Sequence, residues 1–379
     1  MLRSPSSFRH YEMKRSRVWA AMSGGVDSAA AAALLIRQGY QVEGVFMELW
    51  DCRLAPSRGR ATCCSPRDRA DARNVADHLA IPLRVVDLQG VFRTRVIDAF
   101  VESYRRGHTP NPCILCNQWI KYGRLMEMAL DAGAEYLATG HYAVNLWDPQ
   151  EKAFRLMTAK DRSKDQSYFL FAMGQGQLSR VLWPLCDLTK REVRALADAW
   201  GLPVAHKAES QEICFIPDGD YRAFLETYLP DEALEPGEIV DREGRRLGRH
   251  RGVHAFTVGQ RRGLRVPWRE PLYVLRILLE ERRVVVGPRE QLEAQCLHAD
   301  GVLWVAGRPP SLCFRALARV RYRHKEAPAL VQVLEGERIR VVFDEPQAAL
   351  TPGQAVVLYR EDEVLGGGWI REACDGPEG

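Results

Sequence analysis

SGGVDS, residues 23–28, decides the fold. It follows a short apolar run, VWAAM at 18–22, and opens an alanine-rich stretch, 29–37, that reads as a helix. A strand that passes through a glycine-rich turn straight into a helix belongs to an open α/β sheet. The glycines let the backbone come close to a ligand. The unpaired N–H groups of the helix start, with the helix dipole behind them, favour phosphate there. A plain β–α turn needs no Asp-Ser after its glycines, whereas Asp27 is suited to hold Mg²⁺ and Ser28 to donate to a phosphate. The GxxxxGK[ST] pattern and its lysine are missing, so this is not a Walker loop.

Working outward, 42–49 reads as a second buried strand, and Ser65-Pro66 starts a helix to about residue 79. A third strand covers 83–87, helices follow near 91–104 and 117–132, and a fourth strand at 136–139 ends in TGHY. Thr189 and Glu192 form a capping box for a helix to about residue 200. Strands and helices alternating at this spacing predict an α/β, doubly wound parallel sheet over residues 1–218. Beyond about residue 217 the texture changes to short β-branched runs between Gly and Pro turns, such as EPGEIVDREGRRLG and ERIRVVFDEPQAALTPGQAVVLY. These predict a small, mostly β adaptor domain over 219–298 and a C-terminal β-barrel over 299–379. There is no internal repeat and no low-complexity segment.

The bulk properties fit that plan. A chain of 379 residues is long enough for two or three domains, and 46% hydrophobic with 27% charged residues is ordinary for a folded protein. No run of about 18 apolar residues occurs, so no membrane span is expected. The net charge of +4 predicts no polyanionic partner by itself. The 45 arginines against 8 lysines supply planar forks suited to phosphate, although a GC-rich genome produces the same bias. Ten cysteines without a secretory signal, in a chain too large to need disulfide staples, point to a reducing, cytoplasmic setting with a few working thiols. Residues 1–12, MLRSPSSFRHYE, weakly resemble a transit peptide. The start at Met13 favours reading them as a non-essential extension.

NPCILCNQWIKYG, residues 111–123, carries the most ambiguous chemistry. Cys113 and Cys116, three apart, suit a metal clip, a redox dithiol, part of a larger catalytic set or two buried thiols. Cys63 and Cys64 are adjacent and cannot comfortably chelate one metal. They read as an ordinary pair at a helix entry that could join Cys52 as redox thiols.

SGGVDS resembles the loop of the N-type ATP pyrophosphatases, which bind the pyrophosphate part of ATP and adenylate a substrate oxygen. NPCILCNQWIKYG, TGHYA, KDQSYFL, SQEICFI, FTVGQRRGL, VRYRHKEAPA and TPGQAVVLY…EVLGGGWI resemble segments of the bacterial tRNA-specific 2-thiouridylases. They occur in the family's order from Ser23 to Ile370, covering nearly the whole chain. The resemblance implies an enzyme, a tRNA-uridine 2-sulfurtransferase, acting on the wobble uridine of tRNAs for Lys, Glu and Gln. It would adenylate the uridine C2 oxygen and take sulfur from a cysteine persulfide supplied by a cysteine desulfurase or a sulfur-relay protein. Another ATP-dependent tRNA-modifying ligase is the alternative on the same fold, and a tRNA binder with a dead nucleotide loop the alternative from another class.

Carried over residue by residue, the resemblance gives nucleotide contacts at Ala21, Met22, Ser23, Gly24, Gly25, Val26, Asp27 and Ser28, with Met47 and Gly140 at later strand ends, and Mg²⁺ at Asp27. It makes Cys116 the nucleophilic cysteine and Cys214 the persulfide carrier. tRNA contacts fall to Asn111, Pro112, Cys113, His141, Lys164, Asp165, Gln166, Arg321, Tyr322 and Gln354. In RVRYRHK, read as a strand, Arg319, Arg321, Arg323 and Lys325 would share one face as a phosphate track; a charge-protected edge strand competes with that reading. Many relatives carry aspartate where this chain has Cys113, and that aspartate is thought to serve in acid–base work near the target base, so the resemblance puts Cys113 at a catalytic position. With Cys116 and Cys214 it would supply three thiolates, enough for a [4Fe–4S] cluster with one open iron, so a cluster route stands beside the persulfide one.

Overall fold

The computed structural model describes residues 16–50, 65–209, 213–216 and 219–374. The chain forms two compact units. The first comprises Met1–Arg93, Cys116–Asp218 and Asp362–Val364, the second Thr94–Leu115, Gly219–Glu361 and Leu365–Gly379.

The strands of the first unit are β1 (Arg17–Ala21), β2 (Gln41–Glu48), β3 (Leu83–Asp87), β4 (Tyr136–Ala138), the hairpin of β5 (Ala143–Asp148) and β6 (Ala153–Thr158), and β7 (Val181–Leu182). Five form a parallel sheet in the order β3-β2-β1-β4-β7. Residues 18–21 of β1 are all buried, as expected where both faces of a parallel strand are covered. Helix α1 (Val26–Arg37) buries Ala29 to Ala33 without a gap, and its small side chains pack against Val193 and Ala197 of the helix Lys190–Ala199. Helix α2 (Pro66–His78) starts at the capping box of Ser65 and Asp68, a device worth about 1 kcal/mol. The hairpin β5–β6 is a feature that sequence patterning did not predict; Glu363 and Val364 extend it by pairing with Met157 and Leu156.

The helices predicted near 91–104 and 117–132 are present with widened turns. Arg93–Ile97 and Cys116–Leu125 are π-helical. Such turns are rare and usually single, and they gather at functional sites.

In the second unit, β8 (Gly237–Val240), β9 (Arg246–His250), β10 (Tyr273–Leu278) and β11 (Arg283–Gly287) form a sheet in the order β10-β11-β8-β9. It closes over Ile239, Phe256, Leu264, Val274, Val284 and Val286. The barrel strands are β12 (Glu293–Trp304), β13 (Cys313–Arg319), β14 (Ala327–Leu334), β15 (Arg338–Ala348), β16 (Ala355–Arg360) and β17 (Glu363–Cys374). Their order is β12-β15-β14-β13-β16-β17, and pairing of β12 with β17 closes the ring, which removes the exposed edges of an open sheet. Cys296 and Cys374 form a disulfide, where the sequence reading had only thiols. They are direct cross-strand partners of β12 and β17, with Cα atoms 5.0 Å apart, so closing the barrel apposes them.

RVRYRHK is not a strand. β13 ends at Arg319, and the chain turns through 320–326, with the His324 N–H donating to the Arg321 carbonyl at 3.0 Å. No helix among the described residues is long and apolar enough to cross a membrane.

Candidate active site

In the parallel sheet, β2 and β3 lie to one side of β1 and β4 to the other. The chain therefore reverses its direction of strand addition between β1 and β4, and ligands of open α/β sheets bind outside the carboxyl ends at such a switch point. SGGVDS follows β1 and TGHY follows β4, so these two loops flank that crevice.

The SGGVDS loop is held by close backbone contacts. Gly24 has φ +72°, and a Cβ there would lie 2.4 Å from the Asp68 carbonyl oxygen at the start of α2. A Cβ on Gly140 would lie 2.8 Å from the Asp27 carbonyl carbon and 2.9 Å from the Ser28 nitrogen. Both positions need glycine for space, and Gly24 for conformation as well. The N-cap of α1 is Gly25, with no side-chain cap bond, which leaves the first N–H groups for an anion. Ser28 is buried and occupied. Its Oγ accepts from the Ser23 N–H at 3.2 Å and donates to the Gly25 carbonyl at 3.0 Å, so the hydroxyl presented by the loop is that of exposed Ser23. The side chains of Ala21, Met22 and Val26 are buried and offer the crevice backbone only; Met47 is half-buried at the end of β2.

Four residues that brace the SGGVDS loop, directly or through Lys190, were missed by the sequence reading. Lys190 Nζ lies 2.7 Å from each Asp27 carboxylate oxygen, and the Tyr142 hydroxyl donates to Asp27 at 2.8 Å. Lys190 also pairs with Glu209 at 3.2 Å, and Glu209 with Lys164 at 2.7 Å. Lys164, followed by Lys190, holds the Glu209 carboxyl down at about 2. Lys207 Nζ bonds the Gly24 carbonyl at 3.0 Å, Asp68 at 2.7 Å and Asp71 at 2.5 Å. Burial lowers the Lys207 ammonium, but its bonds to Asp68 and Asp71 outweigh that and raise it overall. Burial, then Asp27, pushes the Tyr142 hydroxyl up, so it stays a donor. The sequence signals here were Thr189, the cap beside Lys190, and the TGHYA segment that holds Tyr142.

The KDQ segment serves this scaffold. Asp165 is buried and accepts from the Ala159 N–H at 3.0 Å and the Ser167 Oγ at 2.8 Å. Gln166 bonds Tyr142 through its side chain and its N–H, at 3.0 and 2.8 Å. The resemblance assigned both to RNA; in this structure Asp165 holds the turn after β6 and Gln166 braces the loop after β4.

His141 is likewise buried rather than presented. Its Nδ1 lies 2.7 Å from Thr139 Oγ1 and 2.8 Å from the Tyr122 hydroxyl, and its Nε2 lies 3.4 Å from Lys121 Nζ. An ammonium only donates, which assigns the acceptor role to Nε2 and the proton to Nδ1. Burial, then Lys121, drives the imidazole well below its ordinary value, so it is neutral. Lys121 and Tyr122 belong to the π-helical segment that Cys116 begins. These bonds therefore tie the Cys116 segment to the loop after β4.

Cys116 is buried, Cys214 half-buried and Cys113 exposed, and none is in a disulfide. Phe215 and Ile216 anchor the Cys214 segment in the core, with Phe215 edge-to-face on Phe92 at 5.7 Å. Burial pushes the Cys186 thiol up to about 12, which makes it inert. Among the described residues no group of three or more His, Cys, Asp or Glu side chains is disposed to hold a metal ion. Cys52, Cys63, Cys64 and residues 1–12 lie outside the described residues.

Of the residues assigned to RNA in the second unit, Arg321 is exposed and Tyr322 half-buried on the 320–326 turn, with Arg323 and Lys325 exposed beside them. Arg319 leaves the proposed cation row: its guanidinium pairs with Glu326 and lies 5.2 Å over the Tyr359 ring. Gln354 Nε2 donates to the Thr109 carbonyl at 2.9 Å, which fixes the segment leading to half-buried Asn111 and buried Pro112.

A glycine loop and an uncapped helix start at the switch point, braced by charged side chains and tied to a cysteine-bearing helical segment, are the features of a protein of the ATP pyrophosphatase type. Residues 16–218 match the family described as tRNA methyl transferase HUP domain, 222–288 its PRC-barrel domain and 294–370 the aminomethyltransferase β-barrel domain. The tRNA-specific 2-thiouridylase MnmA of Geobacter metallireducens is 49% identical over 96% of this chain and 98% of its own length. That of Solibacter usitatus is 48% identical over 94% and 100%. The chain belongs to the tRNA-specific 2-thiouridylase MnmA family. A 4-thiouridine synthetase–RNA complex with bound ATP matches 57% of this chain and 51% of that chain at 18% identity and TM-score 0.34, a likeness too distant to bear on function.

Proposed function

We propose that this chain uses ATP to activate the wobble uridine of tRNAs for Lys, Glu and Gln and replaces its C2 oxygen by sulfur. The observation that carries the reading is the uncapped start of α1, with Asp27 in its first turn, at the sheet's switch point in a chain of this family. The matching domain descriptions speak of methyl transfer. A glycine loop aimed at phosphate, together with the cysteines, suits activation and sulfur transfer better.

In this reading, backbone N–H groups of residues 23–28 hold the pyrophosphate part of ATP while the uridine C2 oxygen attacks the α-phosphorus. Lys190 and Lys207 keep the loop in shape by neutralising Asp27 and Asp68 beside it. The donor set near Asp27 fits Mg²⁺ only as an ion shared with substrate phosphates, since Mg²⁺ takes one or two carboxylates plus phosphates and water. Such an ion would neutralise charge on the leaving pyrophosphate.

For sulfur we propose the persulfide route. The terminal sulfur of a Cys214 persulfide attacks C2 and expels AMP. The Cys116 thiolate then attacks the Cys214 sulfur, which closes a disulfide and leaves the thiocarbonyl on the base. A desulfurase or relay protein supplies the persulfide and a dithiol reductant resets the pair, which fits a reducing cytoplasm. The cluster alternative at Cys113, Cys116 and Cys214 lacks a metal-binding group among the described residues, and no step is assigned to it. As domains we propose catalytic residues 1–218, the adaptor 219–298 and the tRNA-contacting barrel 299–379, with 1–12 dispensable.

Mass spectrometry of nucleosides from tRNA treated with the chain, ATP and a persulfide donor tests the proposal. It requires 2-thiouridine in step with AMP and pyrophosphate. ATP cleavage without a thiolated nucleoside would favour the ligase alternative.

A further inference from the structure

Between Glu243 and Glu270 the chain carries eight arginines and no carboxylate, although its whole net charge is only +4. Three of the eight have acidic neighbours: Arg245 with Asp241, Arg246 with Glu238 and Arg269 with Glu270. Arg249, Arg251, Arg261, Arg262 and Arg265 are exposed and have no carboxylate within 4 Å among the described residues.

Two parts of this arginine run meet within the second unit. β9 is the edge strand of its sheet. The Val266 side chain covers Gly248 of that strand, where a Cβ would meet its Cγ2 at 3.3 Å. Arg249 and Arg265 flank this contact in sequence, so the loop 261–268 lies along the arginine-bearing edge. The loop is also braced. Gln260 Nε2 donates to the Arg262 carbonyl at 2.9 Å and its Oε1 accepts from Thr257 at 3.1 Å, while Gly259 and Gln260 bond Val274 at 2.8 and 3.0 Å. Arg265 has φ +53°, an uncommon value for a residue with a side chain. Beneath the loop, Arg222 Nη2 would meet a Cβ on Gly263 at 3.6 Å, and its Nε is buried without a hydrogen-bond partner. Trp268 stands 44% exposed at the end of the loop.

We infer that this edge, centred on Arg249, Arg261, Arg262 and Arg265, is a second RNA-binding surface that grips the phosphate backbone of the tRNA away from the reacting base. The inference rests on the proposed tRNA substrate. An ordinary charge-protected edge strand carries its cations on the strand itself, whereas Arg261, Arg262 and Arg265 have no carboxylate neighbour among the described residues and sit on a hydrogen-bonded loop. Guanidinium forks match phosphate oxygens in pairs, and the exposed indole is a stacking face of the kind single-stranded nucleic acid uses. An anionic membrane would want a broad apolar face, and Trp268 alone does not give one.

The test uses the full-length chain with Arg249, Arg261, Arg262 and Arg265 changed to Gln. Its charge-matched control carries Arg105→Gln, Arg106→Gln, Arg315→Gln and Arg371→Gln, all at ion-paired sites. Affinity for a tRNA transcript is measured from 50 to 200 mM salt. The slope of log affinity against log salt should fall by about 0.9 for each phosphate no longer neutralised, up to about 3.6 in all, with the control near wild type. KM for tRNA should rise while kcat at saturating tRNA stays unchanged. A wild-type slope, an equal fall in the control, or binding to phosphatidylserine vesicles in preference to tRNA would overturn the inference. The double variant R261Q/R262Q, with a fall of about 1.8, serves if the quadruple one does not fold. Absence of 2-thiouridine with the wild-type chain would instead sink the catalytic reading, since the salt slope is read without turnover.

Discussion

Lys190 Nζ sits 2.7 Å from both carboxylate oxygens of Asp27, across 163 residues of sequence. The ammonium is nearly buried and has Glu209 as a second carboxylate. The SGGVDS loop, which has no lysine of its own, is thus tied to Lys190 at the start of the helix Lys190–Ala199. This pair makes Asp27 the hinge between loop conformation and charge.

Asp27→Ala should therefore abolish pyrophosphate release. tRNA affinity should hold to within about twofold, because the variant touches no proposed RNA contact. Lys190 keeps Glu209, so the fold should survive, and because the Asp27 carboxylate is partly exposed the loss should stay below the roughly 3–5 kcal/mol of a fully buried pair. Pyrophosphate release and filter binding on the same preparation decide the matter. Undiminished release would remove Asp27 from the mechanism.

Gly140→Ala asks whether the two switch-point loops must touch. The new methyl carbon would meet rigid backbone of Asp27 and Ser28 below 3.0 Å, so the phosphate loop must move. Displacement of about 1 Å at a reacting centre can cost roughly 10²-fold in rate. The expected outcome is a loss of that order in kcat/KM for ATP with a normal far-ultraviolet circular dichroism spectrum. Wild-type kinetics would show that the loop has slack the contact distances deny.

His141 gives a pH prediction. Its folded value is depressed by burial, so the fold favours the neutral ring. That contribution to stability is complete above the ordinary value of about 6.5 and is lost as pH falls through the depressed folded value. Ring-nitrogen NMR shifts of His141 should therefore stay those of the neutral, Nδ1-protonated form from pH 8 down to about 5.5. Titration near 6.5 would mean that the bonds to Thr139 and Tyr122 do not hold the ring in solution.

The sequence was readable where local chemistry decides structure. The buried run at 18–21, the capping boxes at Ser65 and Thr189 and the glycines of SGGVDS each state a local requirement, and together they define the parallel sheet and its phosphate loop. It was silent where distant residues meet. Nothing in TKREV says that Lys190 reaches back to Asp27, and nothing in KDQ says that Asp165 turns inward. RVRYRHK is an instructive failure. Its alternation correctly separates buried Val320 from exposed Arg321, Arg323 and Lys325, but alternation reports exposure, and a turn can alternate as a strand does. The hairpin β5–β6 did carry a turn signal, DPQEK between two apolar runs, that went unread.

On the 320–326 turn the cation row shrinks from four to three, since Arg319 is engaged by Glu326 and Tyr359. Changing Arg321 and Arg323 to Gln should weaken tRNA binding and flatten its salt slope by about 0.9 for each phosphate that loses its cation. Arg319→Gln should instead lower barrel stability, because its guanidinium is part of the packing. Thermal melting and salt-dependent binding separate the two effects. An unchanged slope in the double variant would return the turn to ordinary solvated surface.

Cysteine substitutions test the sulfur route most directly. Both routes need Cys116 and Cys214, so serine at either should eliminate 2-thiouridine while ATP-dependent pyrophosphate release continues. Cys113 separates them. In the persulfide route the attacking sulfur rides on Cys214 and the resolving thiol is Cys116, so Cys113→Asp, which installs the residue many relatives carry, should retain activity in air. In the cluster route Cys113 is one of three thiolates that hold the irons, and the same change should strip the cluster. Anaerobic purification followed by iron and sulfide analysis completes the comparison. About four irons per chain, lost together with activity in air, would establish the cluster. Iron-free protein that thiolates tRNA from a persulfide donor, with Cys113→Asp still active, is the outcome expected.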